Sequence, residues 1–392
     1  MGTPFGQRLR DLRKRRGLSQ RELAEASGVS LSLIRKLEQG DRSATRLETA
    51  RRLAVTLHVP TTCLVTDSPD EDQAPGGQWD AVGDAVTGAS PPQGEPDEPP
   101  PTVPGARNAL EAAVPLFSGD RYAELTTVLP PLIRDIDTVA ATGPDGRALR
   151  ARLMHLTGWL LTQNRQYQAA EAALTRSLKE APDQLHAAAV ISTRCWLLLR
   201  QGKLAAARQL AAHWADTTEP RLSRARPAEL SAWGWLLLRL SAASVRDNRP
   251  DEADQALRLA QSAAVAMGGE FAPGKDFLRV FGPVTVALKR AENAMVADRP
   301  DAVLALARRM PTHGLRPTSN NRNRHLLDVA EAHVRSRQYT EAVDVLQGIQ
   351  AVAPQWLANQ RYARDILGHV IDKRRTLTPD MRVLADAIGV PL

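Results

Sequence analysis

Two cysteines and eight histidines are the residues of this 392-residue chain best suited to metal or nucleophilic chemistry. Cys63 and Cys195 stand far apart, with no Cys or His at metal-ligand spacing, so neither a zinc site nor a disulfide framework is expected. His325 and His333 lie eight residues apart and can share a helix face, yet no carboxylate completes a metal site or a triad with them. The stretch GGEFAPGKD holds G-x-x-x-x-G-K from Gly269 to Lys275, the skeleton of a phosphate-binding loop. Asp276 then stands where a magnesium-binding hydroxyl is needed, and the preceding LRLAQSAAVAM reads as helix rather than strand. The chain is therefore read as no enzyme, without metal or cofactor.

Basic side chains remain, and they are concentrated. Residues 1–66 carry 13 Lys and Arg against 6 Asp and Glu, whereas residues 67–105 carry 9 acidic residues and no basic one. Positive charge gathered on one small unit is the electrostatic footprint of a phosphate-binding surface. Arg outnumbers Lys 44 to 7 over the whole chain, a bias that a GC-rich genome accounts for without selection on chemistry.

The elements that must position this charge are legible around residues 18–40, LSQRELAEASGVSLSLIRKLEQG. Ser19 and Glu22 have the spacing of a capping box, so a helix starts at Gln20; Gly28 marks a reversal; Ser30 caps a second helix from Leu31 to Gln39, closed by Gly40. Upstream, Phe5, Leu9 and Leu12 fall on one helical face, and downstream Leu47, Leu53, Ala54 and Leu57 supply a closing helix. Two short helices about a glycine turn make a helix-turn-helix.

Beyond it, residues 67–105 read as an acidic, proline-rich linker holding 9 of the 27 prolines. Within it, Trp79, Val82 and Val86 repeat at helical spacing, which leaves a short docked helix open beside a solubilising spacer or an acidic tether that screens the basic unit. From residue 106 to 392 the chain reads as antiparallel helix pairs. Six turn-and-helix starts recur, anchored on Tyr122, Tyr167, Leu204, Pro250, Pro300 and Tyr339. Three residues after the anchors the column reads Leu125, Ala170, Ala207, Ala253, Val303, Ala342. Nine before them it reads Ala113, Gly158, Cys195, Ser241, Ala291, Ala330, all small. Small residues at both places let paired helices approach closely, and they give Cys195 a packing role. The fold class is all-α: a helix-turn-helix unit of about five helices over 1–66, the linker, and a helical-repeat solenoid over 106–392. The chain opens MGTPFGQRLR, without the apolar stretch of a signal peptide, and its most apolar runs are too short to span a membrane; a cytoplasmic protein is expected.

With Leu18, Ser19, Gln20, Leu23, Ala24, Gly28, Val29, Ser30, Ile34, Leu37, Glu38 and Gly40 in register, residues 5–65 resemble the Cro/repressor-type helix-turn-helix family, also called the xenobiotic-response-element family. Ala44 departs from its frequent proline. The resemblance implies that Gln20 holds a backbone phosphate of double-stranded DNA, and that the second helix enters the major groove. Ser30 at its start and Leu31, Ser32, Arg35 and Lys36 on its exposed side form the implied DNA-binding set. Leu31 stands where the family often has a polar residue. Arg13 and Glu38 match a pair that bridges the first and third helices. The pairs beyond residue 106 resemble tetratricopeptide repeats, and the whole chain is similar to regulators of high-GC Gram-positive bacteria that join the two modules. Gram-positive peptide-sensing regulators have a similar arrangement, which implies a homodimer whose solenoid binds a peptide or small-molecule effector. Trp159 and Trp196, each one residue after the small position, then fall where such repeats face their groove, with Arg239 a candidate partner for a ligand carboxylate. A protein-interaction scaffold or antitoxin-like partner is the alternative.

Overall fold

The computed structural model describes residues 5–40, 45, 47–57, 59, 61, 64, 77–88, 100–271, 280–310, 319–373 and 377–390. Among them the regular structure is helical, apart from one isolated antiparallel bridge between Phe271 and Phe281. Cys63, Ala44 and residues Gly274 to Asp276 of the loop-like motif lie outside the described residues.

Among the described residues four helices build the N-terminal unit: α1 (Phe5–Arg15), α2 (Gln20–Ser27), α3 (Leu31–Gln39) and α4 (Leu47–Thr56). Phe5, Leu9, Leu23, Val29, Ile34, Leu37, Leu53 and Leu57 close one core between them, joined by Leu64. Leu12, expected on the same face as Phe5 and Leu9, packs at its edge.

The stretch read as linker contains a docked element. Trp79 leads into α5 (Asp80–Thr87), and Trp79, Val82 and Val86 are all buried. Helix spacing of three apolar residues is enough to dock about two turns once a partner surface exists. Here the partners are α7 (Tyr122–Ala140) and α9 (Tyr167–Lys179): Trp79 meets Tyr122 edge to face at 5.9 Å, and Arg176 donates to the Val86 carbonyl at 2.6 Å.

Hairpins of antiparallel helices follow. They pair α6 (Val103–Ser118) with α7, α8 (Pro144–Gln163) with α9, α10 (Gln184–Arg200) with α11 (Leu204–Thr217), and α12 (Pro227–Arg246) with α13 (Pro250–Met267). Then α14 (Pro283–Val296) pairs with α15 (Pro300–Arg309), and α16 (Ser319–Arg335) with α17 (Tyr339–Val352). All twelve residues of the two small columns are buried. The first hairpin begins at Val103, three residues earlier than expected.

Each hairpin turns the same way, for a reason the small columns do not reveal. Two residues before each anchor, the backbone is left-handed: Asp120, Arg165, Gly202, Asn248, Asp298 and Arg337 have φ between 53° and 72°. The next residue then donates back five positions, as in Arg121 N to Leu116 O, Lys203 N to Leu198 O and Arg299 N to Ala294 O, at 2.9–3.0 Å. This is a Schellman ending for the first helix of every pair. Only one of the six residues is glycine.

The helices α18 (Pro354–Ala358), α19 (Arg361–Asp372) and α20 (Pro379–Ile388) complete the chain and close the superhelix on itself. The Gln355 side chain accepts from Ala123 N at 3.2 Å, and Trp356, Ile366 and Leu384 share one core with Phe117, Leu129 and Leu160. The first helices of the pairs thus face inward, around a common interior.

Candidate functional site

Local chemistry fixes the helix-turn-helix. Ser19 Oγ accepts from Glu22 N at 3.1 Å while Glu22 accepts from Ser19 N at 2.6 Å, completing the capping box. Gly28 takes the left-handed conformation (φ +63°) that ends α2, and Arg52 of α4 clamps this turn through Ser27 O at 3.1 Å and Gly28 O at 2.8 Å. Ser30 caps α3 by accepting from Leu33 N at 3.3 Å, and Gly40 ends it at φ +82°.

The height of α3 above the core is set by Gly6. A Cβ there would sit 1.8 Å from the Leu37 carbonyl oxygen, so α1 and α3 pack backbone to backbone. Its rotation is set by a buried charge cluster. Arg13 grips Glu38 with two bonds of 2.7 and 2.8 Å and donates a third to the Leu18 carbonyl at 2.8 Å. Gln20 Nε2 adds a bond to Glu38 at 2.8 Å. Burial pushes the Glu38 carboxyl upward, but the bonds from Arg13 and Gln20 outweigh it and hold the group below its ordinary value. The resemblance assigned Gln20 to a phosphate; here its amide is spent partly on Glu38, which ties the start of α2 to the end of α3.

What faces outward is then determined. Ser30, Ser32, Arg35 and Lys36 are exposed, Leu31 is half-buried, and Ile34 and Leu37 point into the core. A groove-sized helix that presents two cations, a hydroxyl and an apolar edge carries the group types that read base edges. The other face of the unit touches the solenoid, where Asn248 donates to the Val59 carbonyl at 2.9 Å.

Residues 4–64 match the family described as a helix-turn-helix domain. That match is local. The same region is 45% identical over 58 residues to an uncharacterized HTH-type transcriptional regulator, RghRB, of Bacillus subtilis (strain 168). The alignment covers 15% of this chain and 42% of that relative, so the chain spans less than half of the relative's length. No solved structure matches the chain. The six hairpins therefore stand on their own geometry.

Their interior holds a cavity of about 250 Å³. Trp159, Trp196 and Arg239 all line it, so the structure brings together three residues far apart in sequence. The two indoles lie 6.4 Å apart with planes tilted by 33°. Trp159 is only 6% exposed and Trp196 half-buried, so these rings pack on one another and form a wall at once. The Arg239 guanidinium sits 5.0 Å from the Trp235 ring and 5.8 Å from that of Trp196, within cation–π reach of both. Its Nε donates to Ser192 O at 3.1 Å. Burial lowers its pKa to about 10.

Other wall residues were not singled out in the sequence: Arg200, Arg246, Lys289, Glu292 and Arg324. A signal for them exists once the repeats are in register. Trp159, Trp196, Ala242 and Glu292 occupy one column, the residue after the small position, and all four line the cavity. Gln163, Arg200 and Arg246 lie four residues further on, along the same helix face.

Cys195 is fully buried, and burial pushes its thiol up to about 12, which suits packing rather than nucleophilic chemistry. Among the described residues there is no group of three His, Cys, Asp or Glu placed to hold a metal, and no helix long and apolar enough to cross a membrane. His325 is buried and His333 bonds Gln338 at 2.7 Å.

Proposed function

We propose that this protein is a sequence-specific DNA-binding transcription regulator, working in the cytoplasm as a homodimer, whose tetratricopeptide-like solenoid takes an effector in its interior cavity. One observation carries the DNA reading: Ser32, Arg35 and Lys36 stand exposed on the outer face of a helix whose height and rotation are fixed by Gly6 and by the Arg13–Glu38–Gln20 cluster. Rigid placement of a few side chains is what base readout demands, because a bidentate contact tolerates little displacement.

In this reading Arg35 and Lys36 contact guanine edges, Leu31 packs on a thymine methyl, and Ser30 and Ser32 take the permissive contacts. The open N–H groups at the start of α2, with the second amide hydrogen of Gln20, meet a backbone phosphate. A dyad follows because helix-turn-helix units read half-sites one DNA turn apart. The relative from Bacillus subtilis supports regulation by its description. The effector reading rests on the aromatic wall of Trp159 and Trp196 beside Arg239.

The test is fluorescence anisotropy on a selected operator. Arg35→Ala or Lys36→Ala is expected to cost about 1–3 kcal/mol at that site and to relax preference at one base pair. Gln20→Ala is expected to weaken all sequences alike. Equal operator affinity for wild type and an Arg35→Ala, Lys36→Ala double variant contradicts the assignment.

A further inference from the structure

The walls of the interior cavity carry five cations, Arg200, Arg239, Arg246, Lys289 and Arg324, and one carboxylate, Glu292. Glu292 is already committed: it accepts from Arg246 at 2.6 Å and from Lys289 at 2.9 Å. Burial works against its ionisation, but Lys289, Arg246 and Arg324 together hold its carboxyl well below the ordinary range. Arg200, Arg239 and Arg324 have no carboxylate within 4 Å among the described residues. The Nε of Arg200 is buried without a hydrogen-bond partner. Arg324 lies 5.0 Å from the ring of Tyr362. Burial lifts the carboxyl of the nearby Asp328 to about 7, so near neutral pH it supplies only part of a negative charge.

Half-buried cations with no carboxylate at contact distance leave a place for an anion to supply the charge. The same cavity offers an aromatic wall from Trp159, Trp196 and Trp235, the first two rings tilted by 33° to one another. Guanidinium forks suit planar or tetrahedral oxyanions, and stacked indoles suit a ring. A cavity of about 250 Å³, just below the usual range of about 300–1,000 Å³, suits a single small molecule rather than a length of peptide chain.

We infer that the cavity binds a small organic anion: a flat, largely apolar ring against Trp159 and Trp196, with one or two carboxylate or phosphate groups held by Arg200, Arg239 and Arg324. This rests on the effector reading above and names the chemistry of that effector.

Isothermal titration of the full-length protein at 0.15 M salt tests it with naphthalene-2,6-dicarboxylate, benzene-1,4-dicarboxylate and 2-naphthyl phosphate, each against its uncharged analogue, the two dicarboxamides and 2-naphthol. At least one anion is expected to bind ten-fold or more tightly than its neutral analogue, and the better of carboxylate and phosphate identifies the headgroup. If no anion outbinds its neutral analogue at either ring size, the inference is overturned. Arg239→Gln and Arg324→Gln are each expected to lower anion affinity at least ten-fold and to leave dicarboxamide binding unchanged. The Arg35→Ala, Lys36→Ala variant is expected to bind the anions like wild type. Anion binding lost in that variant but kept in Arg239→Gln and Arg324→Gln would move the site to the DNA-facing surface. The charge comparison on wild-type protein stands even if one variant fails to fold. Operator affinity with and without the bound anion separates the two readings. An anion that binds the cavity without changing operator affinity contradicts the effector role and leaves the anion site standing. Operator binding that responds to culture extract in a protein indifferent to every anion refutes the anion class and leaves the regulator standing.

Discussion

Removing Glu38 should loosen the recognition helix without touching its exposed face. The carboxylate is 3% exposed and receives three hydrogen bonds, two from Arg13, whose side chain is 10% exposed, and one from Gln20. Breaking one partner of a buried ion pair costs about 3–5 kcal/mol, because the other charge is left without compensation. Arg13 keeps its bond to the Leu18 carbonyl and some contact with water, so the lower end of that range, about 3 kcal/mol, is expected for Glu38→Ala. At 1.36 kcal/mol per factor of ten this is a roughly 150-fold rise in local opening. Amide hydrogen exchange of α2 and α3 in the full-length protein reads it directly. The Arg13→Met, Glu38→Leu double variant should recover most of the loss, since apolar replacement of both partners removes the stranded charge. The Glu38 carboxyl titrates below its unfolded value, so its contribution is complete above the unfolded pKa and disappears as pH falls through the folded one. Wild type and Glu38→Gln should therefore converge only as the pH falls through the Glu38 carboxyl's own titration, below the ordinary glutamate range. Opening of Glu38→Ala within about 0.5 kcal/mol of wild type, or a double variant as open as the single one, refutes the reasoning.

Three further outcomes are expected. Gly6→Ala forces a methyl into the Leu37 carbonyl and should separate α1 from α3, lowering operator affinity more than Tm; unchanged affinity would show that this contact does not set the helix position. Arg337 is exposed and left-handed at φ 60°, so Arg337→Gly should stabilise by about 1 kcal/mol in thermal unfolding, while Gly202→Ala at the equivalent turn should destabilise by a similar amount. Asp328 titrates near 7 because it is buried, so its unfolded form ionises first and the native state loses stability as pH rises from about 4 to 7. Asp328→Asn should accordingly raise Tm at pH 8 and leave it unchanged near pH 4; a fall in Tm at pH 8 would show that the charge pairs productively with Arg324.

Features carried by local sequence were legible beforehand. The capping box at Ser19 and Glu22, the Gly28 turn and the Ser30 cap each need only neighbours within four residues, and each forms as its spacing requires. The small columns were legible too, because close approach of two helices leaves no space for larger side chains at Ala113, Gly158 or Ala330. The left-handed hairpin turns were not. Five of the six use Asp, Asn or Arg, so no glycine marks them, and tertiary packing of the pair imposes the conformation. The cavity's charge imbalance was hidden for another reason. Arg200, Arg246, Lys289 and Arg324 come from four successive hairpins, and only the packing of their first helices side by side brings them to one interior. Trp79, Val82 and Val86 show the intermediate case: spacing allowed a helix, but whether it docked depended on α7 and α9.

The most direct test of the account is selection of genomic DNA fragments by the full-length protein, followed by sequencing, for wild type and for Arg35→Ala, Lys36→Ala. Both positions are exposed and outside the core, so the variant should fold normally. The wild type is expected to enrich one motif with two half-sites a DNA turn apart, and the variant to lose it while retaining its circular dichroism and Tm. A folded variant that enriches the same motif as wild type would contradict the claim that α3 reads DNA.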